Sequence, residues 1–262
     1  MADANSEVWE EIKAARAEIA NSPGAALRNE LAAVARSYRL FHANATELER
    51  FLAQYDDPSA RVELWALQNR DRFDAFLDEV DRLFHNFLAA AATLRDHTRR
   101  LWDEYSPPDP ALTAEYDKRV REAFAESPLV QFVQRLRNYS THTKLPLALG
   151  RFSWTPETGD QSTTVLPKAA LLEWDGWTAT ARRFITSHDG DLDLRQILWA
   201  YVACVDEFNQ WFGHAFLRGH LPAFDDFNAR RAAYAQLLRR HGYRPEEESR
   251  PDAQTDEPPQ SG

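Results

Sequence analysis

The chain has 262 residues, 44% of them hydrophobic, with 15 Phe and 8 Trp, which is ample core material for one large globular domain. A formal net charge of -10 excludes a generally basic nucleic-acid binder, since affinity for a phosphate backbone comes mainly from Lys and Arg, although a local basic patch is compatible with it. The single cysteine, Cys204, excludes an intrachain disulfide framework and a CxxC metal cage.

One cysteine in an apolar segment also suits a reducing cytoplasm. The opening MADANSEVWEEIK lacks the basic-then-apolar order of an export signal, and no uncharged apolar run of about 18 residues occurs. The expectation is a cytoplasmic protein with no membrane association and no cofactor.

Glycine is scarce, at 9 residues, and apolar side chains recur three and four apart along most of the chain, so helix should dominate. A first helix is predicted over 6–20, closed by Asn21-Ser22-Pro23-Gly24, and a second over 25–55. Asp57-Pro58 supplies a cap and a first-turn proline for the segment 59–105, which stops before Ser106-Pro107-Pro108. A straight helix of that length would span roughly 70 Å at about 1.5 Å per residue, so a kink or break is expected near 68–71.

Helices over 110–126 and 128–144 follow, the second with Ser127 as N-cap and Pro128 as first residue. RFSWTPETGDQSTTVLP reads as a β-hairpin turning at Pro156-Glu157-Thr158-Gly159. Three more helices are predicted over 168–187, 194–218 and 222–241, with Asp193 and Gln196 forming a capping box for the middle one. The fold class is therefore mainly α: one helical domain over 1–244 with long antiparallel helices and a small hairpin insertion at about 151–166. Residues 245–262, acidic and nearly devoid of apolar side chains, should form a disordered tail.

The stretch RLRNYSTHTKLP, residues 135–146, sets Arg137, Asn138 and His142 on the helix predicted over 128–144, with Arg135 and Lys144 nearby and no carboxylate among them. On a wheel of about 100° per residue centred on Leu136, the residues Leu129, Phe132, Val133, Tyr139, Ser140 and Thr143 fall on the core side. Arg137 falls near 100°, Asn138 near 200° and His142 near 240°, so the polar arc points away from the helix's own core. Chemistry on that arc would require a second surface to cover it, most simply the same helix of another copy across a two-fold axis.

This stretch resembles the signature of the HEPN superfamily: an Arg followed at once by a polar Asn, Asp or His, and four to six residues later a His. Arg137, Asn138 and His142 fill those positions. The resemblance is carried by about 20 residues and extends over the helical segment 59–145, leaving the hairpin and the C-terminal extension over 168–241 outside it. It implies a helical bundle that forms a homodimer with the motif at the interface, often a metal-independent endoribonuclease acting as a toxin or in phage defence, with RNA and in some cases an antitoxin protein as partners. In a subset of such toxins a Tyr stands two residues beyond the His; here that position is Lys144, which does not suit regulation by modification of that Tyr.

The residue types fit metal-free RNA cleavage. His142 can exchange protons near neutrality, Arg137 offers a charged fork to phosphate oxygens, and Asn138 can orient either one. Arg135 and Lys144 make the segment locally basic and are candidate RNA contacts. The loose Arg-to-His spacing also occurs from Arg36 to His42, from Arg135 to His142 and from Arg182 or Arg183 to His188, but only Arg137 is followed by the required polar residue. The competing reading is an exposed polar helix face on a non-catalytic helical scaffold.

Elsewhere, His85 between Phe84 and Asn86 is expected near the core, Asp96 is spaced to pair with Arg100, and His97 or Asn86 would support Arg137 if their helix packs beside it. Trp154, Trp174, Trp177, Trp199 and Trp211 are expected in the core rather than stacked on bases. The segment 187–193 lacks the glycine and glutamate of a calcium loop and reads as an interhelical turn, and no metal site is expected.

Overall fold

Proline and capping residues cut the helical periodicity into ten α-helices among the described residues, joined by a small antiparallel sheet. The computed structural model describes residues 2–142, 148–155 and 159–243, with backbone only for 2–5, 141–142, 152–155 and 159–161. The predicted disordered tail and Lys144 lie outside the described residues. None of the described helices is long and apolar enough to cross a membrane.

In chain order the helices are α1 (Ala2–Ala20), α2 (Pro23–Ala53), α3 (Pro58–Trp65), α4 (Arg70–Glu104), α5 (Pro110–Val120) and α6 (Pro128–His142). Strands β1 (Leu149–Thr155) and β2 (Gly159–Leu166) follow, then α7 (Lys168–Leu172), α8 (Ala179–Thr186), β3 (Leu192–Asp193), α9 (Leu194–Gly219) and α10 (Leu221–Arg240). The mainly α fold with a small β insertion is thus the observed one.

The chain divides into two compact units, one of Met1–Ala32 with Phe216–Gly262 and one of Ala33–Ala215. In the first, α1 lies against α10 around Ile12, Leu237 and Leu238, flanked by Val8, Trp9, Ala15, Tyr234 and Tyr243. Gly24, at the start of α2, allows the α10 backbone to come close: a Cβ there would sit 2.3 Å from the Ala223 carbonyl oxygen and 2.6 Å from Phe227 Cβ. Backbone cannot yield as a flexible side chain would. Gly24→Ala should therefore lower stability by about 1–3 kcal/mol despite the roughly 1 kcal/mol that alanine contributes to an isolated helix. A denaturant midpoint equal to or above the parent's would contradict this.

In the second unit the Asp57 carboxylate accepts from the Ser59 and Ala60 N–H groups, with Pro58 in the first turn, so α3 starts as its sequence dictates. The expected interruption of the long segment is real: Ala66 is extended and Leu67–Asn69 form a single 3-10 turn before α4 begins. Gly150 of β1 lies under the rings of Trp65 and Phe73, and the Trp65 indole N–H donates to Ser162 Oγ, so the hairpin is docked on the α3–α4 corner. Its register runs from Leu149 opposite Val165 to Thr155 opposite Gly159, which places the chain reversal at the predicted turn; residues 156–158 themselves lie outside the described residues. At the other end Val165 and Leu166 pair with Asp193 and Leu192 of β3, and the Gln196 N–H bonds to Asp193 Oδ1 to begin α9.

Two predicted helices differ from the observed ones. Residues 168–187 form α7 and α8 rather than one helix, because the Trp177 side chain is drawn into the core, where its indole N–H donates to the Leu171 carbonyl at 2.6 Å. Thr178 then caps α8 by accepting from the Ala181 N–H. The helix predicted over 110–126 is α-helical only to Val120 and continues as a π turn over Arg121–Ala125, which rotates Phe124 onto the edge of Phe208 at 4.7 Å between ring centroids.

Candidate functional site

The orientation of the motif is set by what α6 buries. Phe132 lies between Trp177 at 5.4 Å and Phe184 at 5.0 Å, and Tyr139 packs on Trp174 and Trp177, so an aromatic wall from α8 and the preceding turn grips one side of α6. Val133 and Leu136 are buried toward the bundle, and Ser140 donates its hydroxyl to the Arg137 carbonyl at 2.9 Å. The core side matches the predicted one at Phe132, Val133, Leu136, Tyr139 and Ser140.

The wheel missed a second buried strip. Val130, at about 120° from Leu136, is fully buried. This strip exists because α6 packs against α4 as well as α8. Arg137 is on the α4 side, exposed at its tip but bordering a narrow crevice with Leu88, Ala91, Ala92 and Arg95 of α4, Val133 and Gln134 of α6 and Tyr201 of α9. Arg137, at about 100° on the wheel, thus sits at the shoulder of the α4–α6 seam, while Asn138 lies further round the helix. Asn138 and Arg135 are half-buried. His142 is the last residue of α6, and its side chain lies outside the described residues.

The loose repeats of the motif are engaged elsewhere. His42 shares Asp206 Oδ1 with the Tyr38 hydroxyl, each at 2.7 Å, in a cluster that ties α2 to α9. Burial together with the Asp206 carboxylate pushes the Tyr38 phenol up to about 12, so it stays a donor. His188 is held by its Nδ1 at 2.8 Å from the Phe184 carbonyl, while Arg182 donates to the Trp174 carbonyl. These bonds give His42 and His188 structural employment.

Several neighbouring expectations need correction. His85 is exposed rather than near the core, because it falls one residue off the buried Phe84–Phe87–Leu88 strip of α4. His97 is bonded through Nδ1 to Ser37 Oγ at 2.7 Å, which faces it toward α2 and away from any supporting role at Arg137. Of the tryptophans expected inside, Trp177 is buried, but Trp199 is 41% exposed and donates its indole N–H to Glu49; the Trp154 side chain lies outside the described residues.

Asp81 of α4 was not legible as a site residue. It is buried, 6% exposed, and accepts the Ala148 N–H at 3.2 Å, which ties α4 to the residue just before β1. Burial raises its pKa from the ordinary 3.8 to about 6, with the Ala148 N–H opposing the rise and the Asp78 charge adding to it. Between about pH 4 and 6 the folded protein keeps a proton that the unfolded chain has released, so this group makes stability fall as pH rises through that window and stay lowered above it. Asp81→Asn should match the parent at pH 3.5 and exceed it at pH 8 by on the order of 2 kcal/mol in urea melts. A difference that does not grow with pH would refute the assignment.

No protein-family model matches the chain, and neither the curated proteins nor the solved structures contain a match. The residues themselves must carry the functional reading.

Proposed function

We propose that this chain is an HEPN-like RNA-binding protein whose homodimer is a metal-independent endoribonuclease, acting as a toxin or phage-defence factor. The observation that carries the reading is the strict Arg137-Asn138…His142 motif at the C-terminal end of α6, a helix anchored on two sides and leaving Arg137 exposed. Five residues apart on one helix, Arg137 and His142 are rotated by about 140° and separated by about 7.5 Å along the axis. One copy therefore cannot easily close both around one phosphate, whereas an isologous pair of α6 ends brings a guanidinium of one protomer opposite an imidazole of the other.

In that arrangement His142 takes the 2′-hydroxyl proton of the RNA as the 2′-oxygen attacks phosphorus. Arg137 of the partner subunit receives the charge on the non-bridging oxygens, and the 5′-oxygen leaves with a proton from water. The products are a 2′,3′-cyclic phosphate and a 5′-hydroxyl. Asn138 orients the motif, and Arg135 and Lys144 attract the RNA backbone to an otherwise acidic protein.

The test is controlled expression of the parent beside His142→Ala, with mapping of cellular RNA ends. Growth arrest and cyclic-phosphate ends in the parent alone support the reading. Equal RNA profiles and equal growth leave a non-catalytic helical scaffold.

A further inference from the structure

A second site lies beside the motif. A cavity of about 330 Å³ opens between α4, α5, the π turn, α6 and α9, within the unit Ala33–Ala215. That volume falls at the lower end of small-molecule sites, roughly 300–1,000 Å³. It shares Ala91, Arg95, Gln134 and Tyr201 with the crevice at Arg137, so the two are neighbours.

Its body is apolar, formed by Leu94, Val120, Phe124, Val205 and Phe208. The π turn helps to create it, because the extra residue in that turn carries Phe124 and Ala125 to the rim, and Gln131 satisfies the Phe124 carbonyl through its Nε2–H at 2.9 Å. Two further polar groups in the wall are spent on the backbone: Thr98 donates to the Leu94 carbonyl and Asn209 to the Val205 carbonyl. Arg99 and Asp103, one turn apart on α4 and both lining the cavity, approach to 3.7 Å.

The Tyr201 hydroxyl is different. Tyr201 is 3% exposed and lines both spaces, yet among the described residues its hydroxyl has no hydrogen-bond partner. A hydroxyl that borders a cavity is a donor a ligand acceptor can engage. Burial pushes this phenol up to about 12, with the Arg95 charge opposing the rise, so it remains a donor at neutral pH and lies within electrostatic reach of the guanidinium. Arg95 is bound on its outer side to Asp96 and lines the cavity on the other.

We propose that this cavity binds a small aliphatic carboxylate, its chain along Leu94, Phe124, Val205 and Phe208 and its head received by the Tyr201 hydroxyl and the Arg95 guanidinium. A guanidinium already shared with Asp96 beside a neutral hydroxyl donor suits a monoanion better than a doubly charged head such as a phosphate monoester. The site is separate from the ribonuclease reading and stands whether or not that reading holds.

Calorimetric titration of the full chain with decanoate, and in parallel with 1-decanol, tests the assignment. Saturable one-to-one binding of decanoate is expected, with decanol weaker by at least about tenfold, and Tyr201→Phe should weaken decanoate by about tenfold through loss of a hydrogen bond to a charged acceptor. Ala91→Phe, which fills the floor, should abolish binding. Ala125→Trp covers the exposed rim and should do the same without disturbing the core, so a folding defect in the first variant does not decide the matter. Absence of saturable decanoate binding to the parent, decanol binding as tight as decanoate, or undiminished binding by Ala125→Trp would each overturn it.

Discussion

His142→Ala should lower RNA cleavage by at least about a hundredfold while leaving the thermal midpoint unchanged within experimental error, because general acid–base catalysis contributes roughly 10²- to 10⁴-fold. The unchanged midpoint follows from position: His142 ends α6, beyond the aromatic grip at Phe132 and Tyr139 that holds the helix. Arg137→Ala should give a loss of similar size, and its exposed tip predicts a stability change within about 0.5 kcal/mol. Mixing the two inactive variants separates a composite site from a site within one protomer. In a mixed dimer one pair of intact Arg137 and His142 can face each other across the two-fold axis, so partial recovery is expected. No recovery, in a mixture shown to exchange subunits, would place both groups on the same protomer or remove the nuclease assignment.

Phe132→Ala should be the most damaging single core change near the motif, costing about 3–5 kcal/mol. Phe132 has no exposed surface and lies between the rings of Trp177 and Phe184, so truncation leaves a cavity where three elements meet. Against a total stability of about 5–15 kcal/mol for a typical domain, this is enough to bring unfolding close to working temperature. Trp177 supplies a local readout, since its indole stacks on Phe132 while donating to the Leu171 carbonyl, and its emission should shift before the global transition. A cost below about 1 kcal/mol would mean that the α6–α8 seam repacks freely and that the motif's orientation is not held by it.

Much of this architecture follows from short-range rules. Asp57-Pro58 begins α3 where a carboxylate can accept two free N–H groups, Asp193 caps α9, and the apolar period of 128–142 predicts which face of α6 is buried at five positions. The interruption before Arg70 was expected from length alone. The motif residues were likewise legible as a pattern, because a charged fork, an amide and an imidazole in that order do not depend on folding to be seen.

What the sequence by itself determined, then, is helical content, most boundaries and the one strict motif. Tertiary packing decided the rest. Val130 is buried because α6 has two neighbours, and a single helix wheel assumes one. His85 is exposed and His97 bonded to Ser37 because a rotation of one residue on α4 separates core from surface. The split at Trp177 and the π turn over Arg121–Ala125 arise where burying an aromatic ring outweighs continuing a regular helix, and the cavity at Tyr201 is the space left where the surrounding helices do not quite meet. Local preferences amount to tenths of a kcal/mol per residue, whereas burial of a large side chain contributes about 1.5–3 kcal/mol, so wherever the two conflict the tertiary partner wins.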